Sequence, residues 1–337
     1  MRSLKILLAV FAALLLTSGT AVAQSAQPVK IRAGWVVAVA NWPSILFEKP
    51  GIARHLGKSY VFEPVRFQGT PPMITAMATG DLEIGDLAFS SFALAVQNAG
   101  MDDLRIISDE FQDGVGDYYT NEFFVLKDSP IKTVKDLKGK VIATNAGGSA
   151  VDIVMRAMLR RNGLDDKKDV TIVEAPFPAM KAMLTEKKVD LIPGVIPFSL
   201  DPQLREMTRS LFTQKQAVGA TQMIVWAARA GFLQKNRAAM VDFMEDALRA
   251  VRFYLDPKNH KEVTEIAARV SKQPPERFEG WLFTKKDYYR DPNMVPNLEA
   301  LQANIKTQQE LGFLKADIDI KKHADLSLVQ EAAKRLK

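Results

Sequence analysis

The stretch NAGGSAVDIVMRAML, residues 145–159, sets two glycines and a serine directly before a run with helical spacing. Gly147 and Gly148 permit tight turning and close backbone approach. Ser149 can cap the helix, and Asp152 three residues on completes a capping-box pattern. Such a helix start offers N–H groups without partners and about half a positive charge, which suits an anion. It lacks the Gly-Lys-Ser/Thr ending of a nucleotide P-loop and the glycine spacing of a dinucleotide fold. Taken alone, it reads equally well as an ordinary strand-to-helix turn.

The same design recurs three times. Asn41 stands at a cap position with Pro43 in the first turn, Thr70 precedes Pro71 and Pro72, and Ser90 and Ser91 sit at a strand-to-helix junction. In α/β sheets such junctions lie at the carboxyl ends of strands, where ligands bind. Four hydroxyl- or amide-bearing helix starts facing one cleft would form a neutral, hydrogen-bonding anion site, although capping explains each one singly. Trp42, Phe89, Tyr118, Tyr119 and Phe198 lie near these junctions. They read as apolar ligand walls or, one by one, as core residues.

Catalytic patterns are missing. The chain has no cysteine and only three histidines, His55, His260 and His323, scattered with no triad or metal spacing. Thiolate metal sites and cysteine nucleophiles are thereby excluded, and neither G-x-S-x-G nor H-E-x-x-H occurs. We therefore expect no catalytic residues, no metal and no cofactor.

The elements that must position these residues alternate in type. Strand-like runs at 30–37, 60–67, 82–89 and 104–111 are separated by helical runs, 41–56 among them, and the rhythm continues to about residue 200. It predicts parallel-type sheets covered by helices. TAMATGDLEIG (75–85) echoes KAMLTEKKVDLIPG (181–194), as two similar lobes would, or as two amphipathic helices would by chance. The apolar segments 121–127 and 222–228 are the natural crossings between lobes. Beyond them the chain is mostly helical, notably at 237–255 and 297–312.

The 337 residues fit about two domains, and a composition 47% hydrophobic and 25% charged is that of a soluble globular protein. The N-terminus reads as a signal peptide: basic MRSLK, an apolar run Ile6–Leu16 and a small-x-small site ending at Ala23. That run is shorter than the ~20 residues a bilayer requires, so export to the periplasm with cleavage near Ala23 is expected. Losing Arg2 and Lys5 would bring the formal charge from +6 to +4, mixed along the chain. Nothing in it marks a nucleic-acid partner.

FQGTPPMITAMATGDLEIGDLAFS, IKTVKDLKGKVIATNAGGSAVDIVMRAMLRRNGL and LQANIKTQQELGFLKADIDIKKHADLSLVQEA, in that order and spacing, resemble the solute-binding proteins of ABC importers for nitrate, sulfonates and taurine. That family also includes thiamine-precursor-binding relatives. The resemblance implies a two-lobed type II periplasmic binding protein, with lobe I at 28–120 plus 225–337 and lobe II at 121–224. It implies a monomer that closes on a small-molecule ligand and docks on an inner-membrane permease. Carried over by position, the ligand contacts would be Asn41, Trp42, Thr70, Ser90, Gly148, Ser149 and Phe198. Asp86, in GDLAFS, departs from a purely anionic site. It either points away or receives a ligand amine, as a taurine-like zwitterion or a cationic pyrimidine would offer. A periplasmic enzyme or a sensory module on the same fold is the alternative.

Overall fold

The computed structural model describes residues 27–336; the expected signal peptide lies outside them. The first half is built from β1 (Val29–Trp35), β2 (Tyr60–Arg66), helix α1 (Pro71–Thr79), β3 (Gly85–Ala88), helix α2 (Phe89–Asn98) and β4 (Leu104–Asp113). The second holds β5 (Glu122–Leu126), β6 (Val141–Thr144), α3 (Ala150–Arg161), β7 (Thr171–Glu174), α4 (Phe177–Thr185), β8 (Ile192–Gly194) and β9 (Thr208–Thr213). The chain then returns through β10 (Thr221–Arg229), followed by α5 (Arg237–Leu255), α6 (His260–Ser271), α7 (Leu298–Glu310) and α8 (Ser327–Arg335).

Sheet pairing separates the halves. β10 lies between β3 and β4, and β5 lies between β8 and β9. The parallel arrangement holds for β1–β2 and β6–β7. β10 and β5 run antiparallel to both of their neighbours, because each enters its sheet just after the chain has crossed from the other half. The expected crossings, 121–127 and 222–228, coincide with β5 and β10 themselves, and the segments 114–121 and 214–220 lead into these two strands.

The helical reading of 41–56 does not hold. Only Trp42–Ser44 forms a short 3-10 turn. Val39 is left-handed (φ 70°) and the Asn41 side chain bonds the preceding backbone, taking Val36 N–H at 3.1 Å and Val37 N–H at 2.8 Å. Pro50 and Gly51 then prevent any regular continuation. The strand β9 was not legible, since TRSLFT carries little apolar alternation.

Helix α5 spans the 237–255 run in full, because apolar residues recur at helical spacing along it. Its Phe243 ring packs against Tyr60 at 5.4 Å, Phe62 at 5.7 Å and Trp226 at 5.7 Å. That cluster fixes β2 and β10 against one helix and so holds the floor beneath the site. Among the described residues no helix is long and apolar enough to cross a membrane.

Candidate functional site

A small cavity of about 60 Å³ lies where the two halves meet. The first half contributes Asn41, Thr70, Ala88 and Phe111 to its wall, and the second contributes Asn145, Ser149, Val151 and Phe177. Met223, Ile224 and Tyr288 complete it from the returning chain. Outside it, a wider cleft of about 980 Å³ opens between the halves, sharing Val36, Val37 and Phe177 with the cavity.

The halves touch around the cavity. Gln68 Nε2 donates to Asn145 O at 3.0 Å, and Asn145 Nδ2 donates back to Gln68 O at 3.2 Å. Ser90 Oγ donates to Gly148 O at 2.9 Å. Gly69 permits this approach: a Cβ there would lie 2.8 Å from Ala146 Cβ. Sequence reading chose Thr70 and passed over Gly69 beside it, since proximity across the cleft leaves no local signal.

The opening stretch folds as a capped helix start. Ser149 Oγ accepts from Asp152 N–H at 3.4 Å and donates to Asn145 Oδ1 at 2.8 Å. Gly148 is left-handed (φ 78°). Its N–H goes to Asp152 Oδ2 at 2.9 Å, and Gly147 N–H goes to Glu174 Oε1 at 2.7 Å. The glycine amides proposed as an anion cradle are therefore occupied by the chain's own carboxylates. The amides of Ala150 and Val151 have no acceptor within the helix, and both residues line the cavity.

The other helix starts differ from expectation. Pro71 and Pro72 have no N–H to give, so Thr70 contributes only its hydroxyl, 2.5 Å from Ser91 Oγ. Trp42 N–H donates to Glu110 Oε1 at 2.7 Å. Glu110 also accepts from Asn41 Nδ2 at 3.0 Å and Trp226 Nε1 at 2.8 Å. Its pKa is pushed up to about 7 by burial, which outweighs these donors.

The structure brings Asn41, Thr70 and Ser149 together on the cavity wall, with Ser90 and Gly148 joined across the contact between the halves. It does not place Trp42 there: the ring is 1% exposed and stacks on Phe283 at 5.0 Å in the core. Phe198 lines the outer cleft and stacks on Phe177 at 6.2 Å. Asp86 is fully buried opposite Trp226, and among the described residues neither carboxylate oxygen has a hydrogen-bond partner. It shares a strand face with Ala88 but does not line the cavity, so an amine-receiving Asp86 finds no support.

Sequence reading missed Phe111, Phe177 and Tyr288. Phe177 begins α4 at a strand-to-helix junction of the kind singled out elsewhere, and that logic reaches it. Tyr288 lies in an irregular segment with no pattern to mark it. Its OH donates to Asn121 Oδ1 at 2.6 Å and accepts from Ile196 N–H at 3.3 Å. Asn121 Nδ2 in turn donates to Gln214 Oε1 at 3.0 Å, and Gln214 Nε2 reaches Met223 Sδ at 3.2 Å. One buried chain of contacts thus starts and ends on the cavity wall and passes through both crossings.

Among the described residues, no histidine, carboxylate, lysine or arginine lines the cavity. His55 sits beside Asp242 and Glu245 on the surface of the first half, His260 bonds Glu279 O, and His323 bonds Leu104 O. Among the described residues no cluster could hold a metal ion.

Solved structures share this architecture. The alkanesulfonate-binding protein SsuA from Xanthomonas axonopodis pv. citri, bound to MOPS, is 18% identical with a TM-score of 0.68, covering 89% of this chain and 99% of its own. The periplasmic nitrate-binding protein NrtA from Synechocystis PCC 6803 is 15% identical with a TM-score of 0.70, over 92% and 89% of the two chains. The desulfurization enzyme DszB is 14% identical with a TM-score of 0.63, over 92% and 100%. At these identities the likeness is one of fold: the two-lobed architecture expected from sequence. No curated protein sequence is detectably similar to the chain. The family model described as NMT1-like matches residues 24–268, well over half of the sequence, and the chain belongs to the NMT1-like family.

Proposed function

We propose that this protein is the extracytoplasmic solute-binding subunit of an ABC importer, exported to the periplasm, which captures a small organic anion between its lobes and presents the closed form to a permease. The lobes are 28–120 plus 225–337 and 121–224. The observation that carries this reading is the cavity itself. It is walled by both halves, which bond each other reciprocally beside it, so a solute held there would favour the closed form. Support also comes from the fold shared with binding proteins whose names state sulfonate and nitrate.

The fold is also that of an enzyme, so the wall chemistry matters. Catalysis of acyl or sulfur transfer calls for a nucleophile with a base in reach. Here the Ser149 hydroxyl donates to an amide oxygen, and no wall residue is a base. Binding without turnover fits these residues better.

The test is thermal shift and calorimetry on the mature protein against nitrate, taurine, alkanesulfonates, aromatic and alicyclic carboxylates, and pyrimidines. A true ligand at 100 times its Kd raises stability by ~2.7 kcal/mol. A melt unmoved by the whole panel rejects the reading, and chemical conversion of a bound compound replaces it with the enzymatic one.

A further inference from the structure

The wider cleft, rather than the small cavity beneath it, has room for the body of a solute. The cavity's 60 Å³ is space for only a few waters at ~10–15 Å³ each. The cleft's 980 Å³ stands at the upper end of the ~300–1,000 Å³ range of organic ligand sites. It keeps that width although the halves already touch through Gln68 and Asn145 and through Ser90 and Gly148. A solute the size of nitrate or taurine would leave most of it to water.

The cleft wall is charged where the cavity wall is not. Arg66, Lys181 and Arg277 stand against Asp201 and Glu276, three positive charges to two negative. Asp201 holds Lys181 at 2.8 Å and has Arg277 at 3.8 Å. Arg66 is exposed, and no ion pair or hydrogen bond engages its guanidinium among the described residues. It lies over the half-buried Trp35 ring, 5.7 Å from the centroid. An aromatic side chain thus orients the group and leaves its N–H donors for a solute. Arg66 and Trp35 are partners in register, the last residues of the parallel strands β2 and β1, and the carboxyl ends of such strands are where α/β sheets bind ligands.

The second half faces them with flat apolar surface. Phe177 and Phe198, both half-buried, stack at 6.2 Å with planes inclined by 22°. A planar ring system covers such faces without leaving voids, whereas a puckered or branched body touches them at points. Resting on the capture reading, we propose that the solute is a planar aromatic anion, its charged group on Arg66 and its rings against Phe177 and Phe198.

Calorimetric titration of the full mature protein with naphthalene-2-carboxylate, its neutral amide, cyclohexanecarboxylate, tryptophan and taurine tests this. The naphthoate should bind at least tenfold more tightly than each of the other four. Arg66→Gln should abolish its advantage over the amide, and Phe198→Leu its advantage over cyclohexanecarboxylate, with circular dichroism showing the fold retained in both. Amide, tryptophan, cyclohexanecarboxylate or taurine matching the naphthoate, or either variant leaving its preference intact, overturns the ligand class and leaves solute capture standing. Silence of these five alongside a melt raised by another panel member has the same meaning. Silence of the entire panel overturns both.

Discussion

A side chain at position 69 would strike the opposite half of the molecule. A Cβ on Gly69 meets Ala146 Cβ at 2.8 Å and Asn145 Nδ2 at 3.0 Å, while the local backbone is not in the left-handed region. Gly69→Val should therefore act only between the halves. We expect at least a tenfold loss of ligand affinity and a larger radius of gyration by small-angle scattering, with the melting temperature of the unliganded protein almost unchanged. Gly148→Val should behave differently, because that residue is left-handed and its Cβ would also meet Leu94 Cδ1 at 2.9 Å. It carries an added backbone penalty of roughly 1–2 kcal/mol and should lower the melting temperature as well. Equal melts for the two variants would contradict this assignment. At this scale the sequence showed polar helix starts but not their partners. That Asp152 and Glu174 consume the glycine amides, or that Trp42 turns into the core, depends on side chains brought together only by folding.

Among the elements, the two crossings are tied by one backbone bond and by side chains. Gln214 N–H donates to Asn121 O at 2.8 Å, and the amide side chains of the same two residues bond each other. Tyr288 supplies the connection to the cavity wall and to Ile196 of the second half. Tyr288→Phe keeps the ring and its stacking on Phe111 but orphans Asn121 Oδ1 and Ile196 N–H, at a cost of about 1–3 kcal/mol. Because Ile196 N–H is a bond between halves, part of that loss should appear as a weaker closed state. Since the chain has no cysteine, one cysteine introduced into each half can be spin-labelled cleanly. The variant should show a broader, longer distance distribution than the parent without any ligand. An unchanged distribution would make Tyr288 a packing residue only. Strands and helices here were largely legible, because period-two and period-3.6 patterns survive in a single sequence. β10 and α5 came out within a residue or so of their apolar runs. What local periodicity cannot carry is direction, so the antiparallel placement of β5 and β10 within otherwise parallel surroundings was not visible.

For the molecule as a whole, β4 determines how stability responds to pH. Asp109, Glu110 and Asp113 lie along this one buried strand, and burial pushes the pKa of each up to about 7. Free Asp and Glu titrate near 4. Between about pH 4 and 7 the folded chain therefore holds more protons than the unfolded one, and stability falls as pH rises through that interval. The opposite group is Asp166 and Asp201. Burial alone would raise them, but the guanidinium groups of Arg160 and Arg156 around the first, and Lys181 beside the second, bring both below the usual range. Their contribution is present above about pH 4 and is lost as pH falls through their lowered values. The two sets bound a maximum on the acid side of neutrality. Scanning calorimetry of the unliganded mature protein should give a higher melting temperature at pH 5.5 than at pH 8, with a decline again below pH 4. A melting temperature that climbs from pH 5.5 to 8 would mean that the three β4 carboxyls are already ionised in the folded chain at pH 5.5. Their donors, Gln222 and the Asp291 N–H for Asp109, and Thr120 and the Asn121 N–H for Asp113, would then outweigh their burial.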